Sequence, residues 1–432
     1  MARFLRSKGF EVKATDIDPS KTREAEILRD LGVDTEIGVH HQTTFNQARA
    51  IIPSPGIPTT IAPMVQAMES GVEILGELDI FSQYNTTPVI AITGTNGKTT
   101  TTTLCRDMLE ASGISTFMGG NIGTPLMDYL MEEQTAQVVV AEVSSFQLDL
   151  CRNFHPRAAL LLNITQDHLN RYAGFDGYTA SKWRIFGNQT EKDLAVINVS
   201  CPGFARFAHQ IPGRTVSFSS DPHQTAHATI TAEGIEFKDL PGTGNWSLDA
   251  GNMSALPGAH NRENIAAAAM AAMELGATPQ GIRRAIDDFK GLPHRIALVR
   301  ELDGVLYYND SKGTNVDAVN RALECFDTPV LLIMGGQAKG ADFAELIPNV
   351  QSHVRQILAI GESADQVENT FSHLVPVEKA TDMKAAVARC RSLARQGEIV
   401  LLSPAGASFD MYPNYGARGD DFTQKVKELD RG

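Results

Sequence analysis

Apolar runs of four to six residues alternate along this chain with stretches in which apolar residues recur at helical spacing. Residues 88–92 are apolar, residues 94–100 (Gly-Thr-Asn-Gly-Lys-Thr-Thr) are polar, and Leu104, Met108 and Ala111 then share one helical face. The pattern predicts strand, turn and helix. Before it, residues 11–18 read as a strand ending in acids, 21–31 as a helix, and 48–55 as a strand running into a Pro/Gly turn. After it, 137–145 and 158–165 read as buried strands, 178–186 and the alanine-rich 265–275 as helices, and 195–255 as small strands and loops decorating the middle of the chain. From Val305 onward, strands ending at Asn309 and spanning 329–334, 354–360, 374–377 and 399–402 alternate with helices. Repeated βα units at this spacing predict an α/β protein with doubly wound, mostly parallel sheets.

The alternation is interrupted by a polar hinge at 83–88 and by residues 289–295. Since 432 residues exceed one ordinary core, three domains are expected, 1–86, 87–292 and 293–432. Residues 1–9 look like the end of a helix with a glycine stop, which places the first strand and its glycine-rich turn upstream of Met1. A parallel sheet lacking one strand would expose backbone groups, which favours a start called late over a truncated domain.

Composition narrows the function. Hydrophobic residues at 42% and charged ones at 21% describe a soluble protein, with neither a bilayer-length apolar run nor a leader, so a cytoplasmic location is expected. A net charge of −13 argues against nucleic-acid and membrane partners while leaving room for small anions in a local pocket. Five scattered cysteines, never paired as C-x-x-C, read as reduced structural thiols. Without sustained heptads, a monomer is expected.

The candidate chemistry lies at strand ends. In the turn Gly94, Thr95, Asn96, Gly97, Lys98, Thr99, Thr100, the glycines let backbone N–H groups face an anion, Lys98 adds a charge, and the Thr99 hydroxyl can ligate Mg²⁺. Ile92 stands where the strict phosphate-loop spacing has its first glycine. Glu142 interrupts an apolar strand and calls for a metal or a structural ion pair. His168 follows another strand, as an active-site or a capping residue. Lys182 shares a stripe with Tyr178, Ile185 and Phe186; it either snorkels to solvent or, held inward, becomes chemically usable. His260, Asn261 and Asn264 either cap a helix or line a base pocket. Asp16, at the end of a second strand, is either a ribose ligand or a cap. The polar turns 309–315, 335–339 and 403–408 follow strand ends and can form one site.

Taken in order, the segments 93–100, 119–123 (Gly-Gly-Asn-Ile-Gly), 142–147 (Glu-Val-Ser-Ser-Phe-Gln), 163–168 (Asn-Ile-Thr-Gln-Asp-His), Lys182, 258–261 with Asn264, and His294-Arg295 resemble the ATP-dependent Mur ligases of peptidoglycan synthesis, which share their core with folylpolyglutamate synthase. Residues 309–315 and 403–410, with Tyr415 and Arg418-Gly, are similar to the branch that adds D-glutamate to UDP-N-acetylmuramoyl-L-alanine through an acyl phosphate. The resemblance implies an N-terminal Rossmann-like domain for the UDP substrate, here lacking its first strand, a central P-loop ATPase-type domain and a C-terminal Rossmann-like domain that closes on nucleotide and amino acid.

It further implies ATP held by residues 94–100, Asn264, Arg295 and Asp310. Two Mg²⁺ sites would involve Thr99, Glu142, His168 and a Lys182 carbamylated by CO₂, with Lys98, His168 and Lys182 catalytic. The UDP substrate would meet Asp16, Gly56 and Asn121. Lys312, Thr314, Lys339, Ser408, Phe409 and Tyr415 would surround D-glutamate. The rivals are a sibling Mur ligase, a folylpolyglutamate-synthase-like ligase, and a regulatory module that binds nucleotide without ligating.

Overall fold

The computed structural model describes every residue except 168–170, 241–243, 254–255, 339 and 431–432, and the backbone alone of residue 252. It forms two compact units, Met1–Asn252 with Glu263–Asp287, and Met253–Arg262 with Asp288–Gly432.

The first unit opens with strands β1 (Lys13–Asp16), β2 (Asp34–Ile37), β3 (Ala50–Ile51) and β4 (Glu73–Ile74), paired in parallel as β1-β2 and β3-β4 in two separate two-stranded sheets. The strand expected over 48–55 shrinks to two residues because Pro53 and Pro55 bring no N–H to a ladder. A small core of Phe45, Met64, Ala67 and Val72 lies beneath, while Phe4, Leu78 and Phe81 pack into the larger core that follows.

That core surrounds a nine-stranded sheet built from β5 (Val89–Thr93), β6 (Thr116–Gly120), β7 (Val138–Glu142), β8 (Ala158–Leu161), β9 (Leu194–Asn198), β10 (Arg214–Ser219), β11 (Ala228–Ile230), β12 (Gly234–Phe237) and β13 (Trp246–Asp249). The order is β13-β12-β11-β10-β9-β8-β5-β7-β6, parallel from β6 to β11 and antiparallel over β11-β12-β13. Strands β5, β7, β8 and β9 are buried throughout, as expected when helices cover both faces of a parallel sheet. The short strands after residue 195 are thus no decoration; they extend this sheet through main-chain pairing that their composition does not announce. The alanine-rich helix starts six residues earlier than its apolar spacing suggests, at Ala259, and puts His260, Asn261 and Asn264 inside its first turns.

The second unit carries β14 (Ala297–Leu302), β15 (Val305–Asn309), β16 (Val330–Gly335), β17 (Val354–Ile360), β18 (Val377–Lys379) and β19 (Ile399–Ala405) in the order β14-β15-β19-β16-β17-β18. All pairs are parallel except β14-β15. Alternate residues of β16 feed opposite cores. Val330, Leu332 and Met334 meet Val319, Leu323 and Phe343, whereas Leu331 and Ile333 meet Val387, Phe422 and Val426. Strand β14 escapes the sequence reading because it joins as an antiparallel edge whose exposed Leu298 and charged Arg300 and Glu301 blur the apolar signal. The last βα strands fall where expected, save that 374–377 becomes Val377–Lys379.

Candidate functional site

In the first unit, β5 runs into residues 94–97 and then the helix Lys98–Glu110. Gly97 precedes that helix at φ +84°, and a Cβ there would collide with the Asn264 side chain. Only glycine fits both demands. The turn is held from β8. Thr95 N–H donates to the Asn163 carbonyl at 3.0 Å, Asn96 N–H to Asn163 Oδ1 at 2.9 Å, and Asn163 Nδ2 back to the Asn96 carbonyl at 3.0 Å. The Thr165 N–H donates to Thr95 Oγ1 at 3.0 Å, and that oxygen lies 3.1 Å from the Tyr178 hydroxyl. Thr99 and Thr100 are buried in the first helical turn.

Two amines converge on one carbonyl at the mouth of this turn. Lys98 Nζ donates to Gly94 O at 2.9 Å and to Thr95 O at 2.8 Å; Lys182 Nζ donates to the same Gly94 O at 2.8 Å. Lys182 is 2% exposed, with its Nζ 4.7 Å from the centre of the Tyr178 ring. Burial, and then the neighbouring Lys98 charge, hold its pKa well below the ordinary lysine value. The inward alternative for Lys182 is therefore the one the fold adopts, because Tyr178, Ile185 and Phe186 are buried around it.

Glu142 ends β7 at 3% exposure. Its Oε2 accepts from the Thr99 hydroxyl at 2.8 Å and its Oε1 from Asn121 Nδ2 at 2.9 Å, so among the described residues it meets neutral donors. A carboxylate beside a hydroxyl at a helix start is a donor set suited to a hard, oxygen-seeking cation such as Mg²⁺. Among the described residues no three His, Cys, Asp or Glu side chains gather as a metal cluster. Asn264 reaches the same helix, accepting from Thr101 Oγ1 at 3.3 Å. His168 and Lys339 lie outside the described residues. Asp16, exposed at the end of β1, accepts the Asp18 N–H at 2.9 Å, and the Gly56 carbonyl, in an exposed turn, accepts from Arg171 at 2.6 Å.

In the second unit, β15, β19 and β16 are adjacent and parallel, so their polar turns share one edge. Gln337 and Ala407 exchange backbone bonds of 2.8 and 2.9 Å, and the Ala405 N–H donates to Gly313 O at 2.9 Å. Asp310 is buried; it accepts from Ser403 Oγ at 2.7 Å and the Ile296 N–H at 3.3 Å. Burial raises its carboxyl to about 7, with Arg295 among the groups pulling the other way. Lys312 Nζ lies 3.9 Å from the centre of the Tyr415 ring. Thr314 N–H donates to Lys312 O, and buried Ser408 accepts two N–H bonds through its carbonyl; Phe409 is 63% exposed. Arg418, 1% exposed, ties two of the turns, donating to Ser311 Oγ, Ser311 O and Gly406 O at 2.8–3.0 Å.

Asn163, Tyr178 and Arg418 lie in sequence motifs or stripes that give them no site role of their own. Their contribution is to hold backbone, which residue type alone does not reveal; a polar residue just past a buried strand, as Asn163 is, is the one usable signal.

Residues 92–272 match the Mur ligase middle domain, 294–406 the Mur ligase glutamate ligase domain, and 1–76 the Mur ligase MurD-like N-terminal domain. The UDP-N-acetylmuramoylalanine–D-glutamate ligase of Desulfatibacillum aliphaticivorans is 46% identical over 99% of this chain and 95% of its own. That of Desulfosudis oleivorans is 42% identical over 100% and 94%. The fold is also that of a MurF ligase from Thermotoga maritima solved with ADP, at 16% identity and a TM-score of 0.64 over 98% of this chain and 97% of that one. Along all three domains and nearly its whole length, the chain belongs to the Mur ligase family.

Proposed function

We propose that the protein is the ATP-dependent ligase that joins D-glutamate to UDP-N-acetylmuramoyl-L-alanine in the cytoplasm. The observation that carries the chemistry is the convergence of Lys98 and Lys182 on Gly94 O beside the Thr99–Glu142 pair. The choice of amino acid rests on the D-glutamate ligases that match at 42–46% identity. A carboxylate is a poor electrophile. The L-alanyl carboxylate oxygen attacks the γ-phosphorus of ATP and the bond to ADP breaks, giving an acyl phosphate. The D-glutamate nitrogen then adds to the acyl carbon, loses a proton, and the carbon–oxygen bond to phosphate breaks. Assembling polyanions this way needs positive charge and fixed donors.

Lys98 and the amides of residues 97–100 suit the β- and γ-phosphates, those of Thr95 and Asn96 being engaged with Asn163, with Asn264, Arg295 and Asp310 on the rest of the nucleotide. Thr99 and Glu142 would hold one Mg²⁺, His168 and Lys182 a second; the ion supplies neutralisation of phosphate oxygens when bound. Lys182 serves as a carbamate. Its neutral nitrogen adds to CO₂ and loses a proton, which turns a buried cation into an anion; burial and Lys98 both favour the neutral amine this requires. Residues 1–86, through Asp16 and Gly56, together with Asn121, serve the UDP substrate. Residues 87–292 serve ATP, and 293–432, through Lys312, Thr314, Lys339, Ser408, Phe409 and Tyr415, serve D-glutamate.

The test is phosphate release from ATP with each substrate omitted in turn. Release requiring both UDP-N-acetylmuramoyl-L-alanine and D-glutamate is expected; release indifferent to D-glutamate would overturn the reading.

A further inference from the structure

Arg171 makes contacts that the ligase chemistry does not use. Its Nη1 donates to Gly56 O at 2.6 Å, and its Nη2 to Pro55 O at 3.3 Å and Ile57 O at 3.1 Å. Three successive carbonyls of one turn thus meet one planar cation. The guanidinium is backed by the Phe146 ring, 4.5 Å from its centre. Phe146 sits in the helix Ser145–Asp149, fixed at its start by a capping box between Ser144 and Gln147. The neighbouring Tyr172 stacks on Phe146 and donates to Asp149 Oδ2 at 2.9 Å.

The consequence follows from peptide geometry. In a trans peptide the N–H points opposite to the preceding C=O. The N–H groups behind the three captured carbonyls belong to Gly56, Ile57 and residue 58. Residue 58 is proline and has none, while the Ile57 N–H donates to Ser54 O at 2.9 Å. The Gly56 N–H is therefore the donor that the turn directs away from Arg171. Gly56 itself has no left-handed φ, and among the described residues a Cβ added to it meets nothing within 4 Å. Neither strain nor packing against the described residues requires glycine there, which fits a position where a ligand approaches the backbone closely.

We infer that Arg171 is a positioning residue for the UDP substrate. It locks the 54–57 turn so that the Gly56 N–H meets the substrate's anionic diphosphate-sugar portion, and it sets affinity without contributing to phosphoryl transfer. This rests on the reading of residues 1–86 as serving the UDP substrate.

Steady-state kinetics of the full chain test it. Arg171→Ala raises KM for UDP-N-acetylmuramoyl-L-alanine at least tenfold, while KM for ATP and for D-glutamate and the melting midpoint without substrates stay near wild type. Arg171→Lys, a point charge without the fork, gives an intermediate KM. Gly56→Ala, which the chain accommodates sterically, raises the same constant and covers the case in which the alanine variant at 171 fails to fold. An unchanged KM for the UDP substrate in these variants, or an equal rise in all three KM values, overturns the inference. Wild-type phosphate release that ignores the UDP substrate would overturn the functional reading as well, and so tells the two failures apart.

Discussion

An ammonium group that is 2% exposed and shares its carbonyl with a second ammonium occupies a costly position for a charge, and this makes Lys182 the side chain most open to test. If it works as a carbamate, Lys182→Ala loses essentially all ligation, and formate or acetate, diffusing into the space left by the side chain, restores part of it. Wild-type turnover in the variant would sink the carbamate. Asp310 offers a second test, through pH. Its buried carboxyl titrates near 7, against an ordinary value near 4 in the unfolded chain. Below pH 4 both states hold the proton and nothing is lost. Between pH 4 and 7 the unfolded state ionises first, so stability falls as pH rises through that window. Asp310→Asn removes the penalty. By urea unfolding, the variant should match wild type near pH 4 and exceed it at pH 8 by a few kcal/mol at most, since each tenfold difference in proton affinity between the two states is worth about 1.4 kcal/mol. Sequence spacing left Lys182 open between an inward and a solvent-facing position, because one helical stripe held Tyr178, Ile185 and Phe186 while a lysine ordinarily snorkels. It could not foresee Asn163 or Arg418, whose partners are main-chain atoms far away in sequence.

At the scale of elements, the 94–97 turn depends on how strand and helix are joined. Gly97 combines φ +84° with a side chain, Asn264, standing where a Cβ would go. Gly97→Ala must adopt a strained conformation, costing about 1–3 kcal/mol, and must also displace Asn264. Denaturant unfolding should show that loss, and titration with a non-hydrolysable ATP analogue should show affinity down at least tenfold; an unaffected titration would mean that the turn does not cradle phosphate. The strand-turn-helix unit was legible because apolar β5, the polar turn and the helical stripe differ sharply in period. The neighbouring helix Ala259–Glu274 was misread at its start because His260, Asn261 and Asn264 resemble caps until the backbone is seen to be helical already. Strands β10 to β13 were legible as strands but not as members of the main sheet. Three to six residues each, they carry no mark of which edge they join.

For the molecule as a whole, each compact unit has its own hydrophobic core, and cores of this size unfold as cooperative units. Both tryptophans, Trp183 and Trp246, belong to the first unit, so tryptophan fluorescence follows that unit while far-ultraviolet circular dichroism follows both. Thermal unfolding should give two non-coincident transitions, one seen by both probes and one by dichroism alone. Ligands then assign them. The 94–97 turn, Glu142 and Lys182 all lie in the first unit, whereas Lys312, Thr314, Ser408 and Tyr415 lie in the second. A ligand at 100 times its Kd stabilises the folded state it binds by about 2.7 kcal/mol, or roughly 5–10 °C for a unit of 150–250 residues and toward the lower end of that range for the larger first unit. A non-hydrolysable ATP analogue with Mg²⁺ should therefore raise the fluorescence-detected midpoint. D-glutamate should raise the transition seen only by dichroism and leave the tryptophan midpoint within about a degree. D-glutamate acting on the tryptophan transition alone would move its binding site out of the second unit and overturn the roles proposed for Lys312 and Ser408.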